Sequence, residues 1–205
     1  MIAYWRTWAE AAALAAATLA APTGLAAQTD DLPPAGFGSL RQDQVAITIA
    51  TVSLAVRVLP LNEHVIRMLA PDTYASLHAL VQARTASIAA AARSAGRDSA
   101  TVFFVTFFGL QPLATFVPDQ VEIQSQGILY RPLAILPLSA QWTDARLDQR
   151  QQAQAIYLFD PAIPVSQTFT VFYGDQYSGT FDNSLTLLQS ERARVLARAA
   201  QQRQP

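Results

Sequence analysis

Cysteine and lysine are both missing from this 205-residue chain. Without cysteine there is no disulfide framework and no thiolate metal site. An exported protein of this kind must be held together by its buried core, which fits a bacterial envelope better than a small animal secreted domain. Without lysine, all fourteen basic residues are arginine. They are scattered among alanines instead of clustering into a phosphate-binding patch, a pattern that a GC-rich genome accounts for. Charge is also scarce, at 14% of residues and a net −1, so there is no global attraction for nucleic acid or for anionic lipid.

Chemistry-bearing motifs are equally sparse. The only histidines are His64 and His78. They form no His-Glu-x-x-His pattern and have no third or fourth ligand close in sequence, so no metal and no cofactor is expected. Both read as residues at the edge of a helical packing face. A Gly-x-Ser-x-Gly elbow is missing too: the nearest string, Gly174 to Gly179, has the wrong spacing. No catalytic residue is named on this basis, and the chain is read as not an enzyme.

A long hydrophobic run is the next thing lacking. Ala11–Ala21 carries no charge, but Pro22, Thr23 and Gly24 then break any helix. A bilayer span needs about 20 apolar residues, and only Leu14, Leu19 and Leu25 here are strongly apolar. Arg6, the apolar stretch and the small residues Leu25-Ala26-Ala27 instead match the parts of a secretory signal peptide over 1–27, cut before Gln28. The expected location is therefore periplasmic or secreted. The alternative is a protein anchored in the membrane by an uncleaved N-terminus, with Tyr4, Trp5 and Trp8 at the interface; membrane contact is expected only in that case.

What is present is half hydrophobic sequence, arranged by element. Residues 28–44, with Asp30, Asp31, Pro33, Pro34, Gly36 and Gly38, read as a flexible tether. From Val45 to Val58 apolar residues alternate, and the parity shifts near Ala50-Thr51, which suggests one long strand with a bulge. About 62–95 is helical in period, with Asn62 as a cap, Pro71 opening a second helix and Gly96 closing it. The strand Thr101–Phe108 is apolar on both faces, and the 71–95 helix is expected to cover the outer one. Further strands are expected near 113–117, 120–124 and 128–136, with Gln126-Gly127 as a turn, and then in AQAIYLFD and QTFTVFYG. Trp142 and Leu147 are possible anchors within a polar stretch. Residues 182–205 read as an amphipathic C-terminal helix.

These spacings predict a mainly β protein over 45–181: an immunoglobulin-like antiparallel β-sandwich with a helical insertion after its first strand and a helix at its C-terminus. The most suggestive surface is the loop Tyr173–Asn183, whose tyrosines and short polar residues match loop-based binders; Tyr173, Asp175, Tyr177 and Phe181 are the candidate contacts. The functional expectation is an exported envelope protein working through protein–protein interaction, with other envelope or membrane-complex proteins as partners. A small-ligand or glycan-binding module using the 173–183 loop is the alternative.

Overall fold

The parity shift at Ala50-Thr51 arises because the chain turns back on itself. After a short helix α1 (Gln42–Val45), strands β1 (Ile47–Ala50) and β2 (Leu54–Pro60) pair antiparallel, with Ile47 opposite Val58 and Ile49 opposite Val56. A two-residue hairpin loop sets odd positions against even ones, so both apolar sets fall on one face. Thr51 closes the turn: its N–H donates to the Leu54 carbonyl at 2.7 Å and its hydroxyl oxygen accepts the Leu54 N–H at 2.9 Å. The expected single bulged strand is therefore corrected to a hairpin, and the helical insertion follows the second strand instead of the first. The computed structural model describes residues 32–202; the expected signal segment 1–27 and the final three residues of the chain lie outside them.

The insertion forms as its punctuation predicts. Asn62 Oδ1 accepts the His64 N–H at 2.8 Å at the start of α2 (Glu63–Ile66), and Pro71 opens α3 (Pro71–Ser94). At its end, Gly96 N–H donates to Arg93 O and Arg97 N–H to Ala92 O, the paired bonds of a Schellman ending.

Strand β3 (Thr101–Gly109) is the spine of a five-stranded antiparallel sheet. The chain continues through β4 (Ala114–Thr115), β5 (Val121–Ser125), β6 (Ile128–Tyr130), β7 (Ala134–Pro137), β8 (Arg146–Leu147), β9 (Gln152–Phe159), β10 (Thr170–Tyr173), β11 (Tyr177–Thr180) and the C-terminal helix α4 (Asp182–Gln202). The sheets are ordered β1-β2-β3-β9-β7 and β11-β10-β5-β6, with β4-β8 as a separate two-stranded ribbon. All their pairings are antiparallel. The expected strand 128–136 is thus two strands in different sheets, divided at Pro132, which has no N–H to give a ladder. Between β5 and β6, Gln126 and Gly127 both have positive φ, as a two-residue hairpin turn of this hand requires.

Both faces of β3 are covered, and differently. Phe103, Val105 and Phe107 face the second sheet and are fully buried. Phe107 stacks on Phe116 at 4.6 Å between ring centroids and meets Tyr173 of β10 edge-on at 5.7 Å, so the two large sheets share one aromatic core. On the other face the register aligns Leu59, Phe104, Ile156 and Leu136 in a row. Helix α3 lies against this sheet over β9 and β7, buried most deeply at Leu77 and Ala92. No helix among the described residues is long and apolar enough to cross a membrane.

The expected tether needs correction over its described part, 32–44. Leu40 is buried and bridges to the α2–α3 connection, its N–H donating to Met68 O at 3.1 Å and its carbonyl accepting from Ala70 N–H at 2.8 Å. On its other side, Ser39 donates from its backbone N–H and its hydroxyl to Glu191 Oε1 at 2.9 and 2.8 Å. Residues 37–41 form a strap held between the α2–α3 connection and α4.

Candidate functional site

The sequence Asp144-Ala-Arg-Leu-Asp148 alternates charged with apolar, and in extended chain alternate side chains point to opposite sides. Leu147 is buried at 0% exposure, while Asp144, Arg146 and Asp148 are exposed. The facing segment Leu113-Ala-Thr-Phe-Val117 follows the same rule: Ala114 and Phe116 are buried, and Leu113, Thr115 and Val117 are exposed. Ala114 pairs with Leu147 and Thr115 with Arg146, and the Phe116 N–H extends the ribbon by donating to Ala145 O at 3.0 Å. The inner side chains anchor the ribbon, with Phe116 and Trp142 packed on Phe107. Trp142 and Leu147 are thus the anchors that the sequence suggested.

The outer side is unusual in two respects. Leu113 is 65% and Val117 47% exposed, so one strand offers apolar side chains to solvent beside the charged row of the other. The backbone here is also costly. Of the four non-glycine residues with positive φ among the described residues, Leu113, Ala145 and Arg150 belong to this ribbon and its following loop, and each such residue costs about 1–2 kcal/mol. Strained backbone of this kind clusters at functional surfaces. The loop is clamped against β3 at Gly109, where an added Cβ would stand 2.2 Å from Asp148 O. There the Gly109 N–H donates to Gln151 O and the Arg150 N–H to Gly109 O.

Leu113, Gln141, Asp144, Arg146, Asp148 and Gln151 line an open recess of about 590 Å³. Among the described residues the three charged side chains form no ion pair with each other or with any neighbour. No known protein family, curated protein or solved structure matches this chain.

The residues nominated from the sequence fall elsewhere, and only part of the set reaches solvent. Tyr173 is 7% exposed and its phenol oxygen accepts the Val117 N–H at 3.0 Å; burial pushes that phenol's pKa up, against the opposing effect of this bond. Phe181 is 0% exposed and stacks on Phe169 at 4.6 Å. Both are corrected to core. The 173–183 loop is itself mostly the β10–β11 hairpin, with Asp175 exposed in its turn and Tyr177 half-buried opposite Tyr173. Replacing Tyr177 by alanine should cost about 2 kcal/mol, since its half-buried ring packs against the core, whereas Tyr173→Phe should cost about 1 kcal/mol through the orphaned Val117 N–H. Urea titration of the two variants would distinguish them.

The two histidines remain at the helical edge. His78 Nδ1 lies 2.8 Å from Glu63 Oε1, Arg67 Nε donates to Glu63 Oε2 at 2.5 Å, and the Tyr74 ring is tilted beside His78 at 5.4 Å. Burial pushes the Glu63 carboxyl up, but hydrogen bonds from Arg67 and His78 outweigh it, leaving the carboxyl below its ordinary range. Among the described residues no hydroxyl group is hydrogen-bonded to His78, and no group of three potential metal ligands is present. The cluster ties α2 to α3.

Proposed function

We propose that this chain is an exported bacterial envelope protein that catalyses no reaction and acts by binding another protein of that compartment, as an accessory subunit of an envelope or membrane complex. The observation that carries this reading is the β4–β8 ribbon: an apolar row and an unpaired charged row, side by side and exposed, held on strained backbone over a rigid aromatic floor. Protein interfaces combine apolar contacts with polar groups in this way. The signal-like N-terminal sequence supports export. The immunoglobulin-like topology belongs to the same proposal. Two antiparallel sheets over one core support it, and the β1-β2-β3 meander weighs against it, because that topology joins its first two strands to one distant in sequence.

Leu113 gives a direct test, because a leucine 65% exposed and in a left-handed conformation buries little apolar area against the strain it carries. Leu113→Asn suits that conformation better and should raise stability by about 0.5–1 kcal/mol. A photo-crosslinking residue placed at Val117 in the native host should yield one discrete protein adduct, and one at Gln124, exposed on β5, should yield none. Adding Leu113→Asn should suppress the Val117 adduct. Equal labelling from both positions, or an adduct indifferent to Leu113, defeats the proposal.

A further inference from the structure

We infer that the recess on the outer side of this ribbon receives an arginine or lysine side chain of the bound partner; the inference rests on the interaction reading above and specifies the partner's chemistry. Its lining carries two carboxylates, Asp144 and Asp148, against one guanidinium, Arg146, together with the carboxamides of Gln141 and Gln151. A cation entering the recess meets two opposite charges and one like charge. An anion drawn to Arg146 meets two like charges. The balance therefore favours a cation. It is not already satisfied from within, since among the described residues none of the three ions forms an ion pair.

The shape of a basic side chain matches as well. Lysine and arginine carry an apolar stem below a charged head, and Leu113, 65% exposed, forms the apolar part of the lining while the two aspartates supply the acceptors. A guanidinium can engage a carboxylate through two parallel N–H bonds. A volume of about 590 Å³ accommodates such a side chain with part of its flanking backbone. Val117, further along the same exposed row, is placed to meet an apolar residue next to the basic one in the partner.

The test reads a sign. With the full chain and N-acetyl-argininamide as probe, NMR titration should show saturable shifts at Leu113, Arg146 and Asp148, and an N-acetyl-glutamate amide should show none. Asp144→Asn and Asp148→Asn should each weaken the probe about two- to fivefold, and Arg146→Gln should strengthen it by a similar factor. All three side chains are exposed, so folding is not at stake. The Val117 adduct should follow the same order in the same variants and should diminish with added salt. Equal response to the two probes, no saturable shift, or an Arg146→Gln variant that binds more weakly would overturn the inference. If the adduct forms but ignores these substitutions, only the basic-side-chain inference fails; if no adduct forms in any variant, the partner reading fails with it.

Discussion

Replacing Glu191 with alanine should cost about 3–4 kcal/mol of folding stability, a large part of the roughly 5–15 kcal/mol that holds a domain of this size. Glu191 is the one acidic side chain among the described residues with 0% exposure. Its Oε1 accepts from the Ser39 N–H and hydroxyl and from Arg198 Nη1 at 3.0 Å, while Arg194 approaches Oε2 at 3.7 Å. Arg198 also donates to the Phe37 carbonyl. Truncation leaves the strap's Ser39 N–H without its acceptor, opens a void in the helix face, and strands Arg198 beside a carbonyl. Arg198 is 38% exposed and can recover water, which keeps the cost toward the lower end of the range for broken buried pairs. Glu191→Gln retains the shape and should cost about 1.5–3 kcal/mol, the value of hydrogen bonds to a charged group.

The same carboxylate fixes a pH dependence. Burial pushes its pKa up, but the hydrogen bonds and charge of Arg198 and those of Ser39 outweigh this, and the pKa falls below its ordinary value of 4.5. A group whose folded pKa is depressed contributes stability that is fully present above the unfolded value and is lost as pH falls through the folded one. The gap in stability between the native chain and Glu191→Gln should therefore be constant from neutral pH down to about 5 and close below 4.5. Urea unfolding of both proteins across that range measures it. A gap that widens on acidification would show that the carboxylate is not the stabilising form.

Phe107→Ala should cost about 3–5 kcal/mol, the typical penalty for deleting a fully buried phenylalanine. Its ring sits where three parts of the structure meet: the five-stranded sheet that carries it, Tyr173 of the second sheet, and the ribbon's Phe116 and Trp142. Little can collapse to fill the space, because those rings are held by their own strands. The neighbouring Phe108 provides the contrast, for it is half-buried on the opposite face with the Arg57 guanidinium 5.1 Å above its ring. Phe108→Ala should cost about half as much, since only part of its apolar area leaves water on folding. Denaturant titration compares the two. Phe107→Ala should also accelerate amide exchange at Phe116, whose N–H pairs with Ala145, because the ribbon loses its floor. Equal costs at 107 and 108 would mean that the two faces of β3 are not as unequal as their burial implies.

Local stereochemistry was legible in the residues themselves. Asn62, Pro71 and Gly96 bracket their helices, Gln126-Gly127 turns the β5–β6 hairpin, and the double alternation of 101–108 forecasts a strand covered on both sides. Each depends on interactions within a few residues, and so survives any arrangement of the rest. The parity shift at Ala50-Thr51 was also present, but a bulge and a two-residue turn produce the same shift; only the pairing of β1 with β2 separates them. Val52-Ser53 carries none of the usual turn signals for a hairpin.

Long-range packing decided the remainder. Tyr173 and Phe181 have the composition of a binding loop, and only the opposing sheet and α4 make them core. Ser39 and Glu191 are 152 residues apart, so nothing in the Gly- and Pro-containing stretch near residue 38 announces a strap, and nothing in the charged C-terminal helix announces a buried carboxylate. The ribbon's alternation could be read from Asp144 to Asp148, but a recess needs Leu113 and Gln141 brought beside it. By itself the sequence determined the helix caps, the Gln126-Gly127 turn and the two buried faces of β3, because those follow from backbone geometry and side-chain period. The tertiary structure alone decided which polar groups are hidden and which apolar ones remain exposed, because burial is a property of the partner that arrives and not of the residue that receives it.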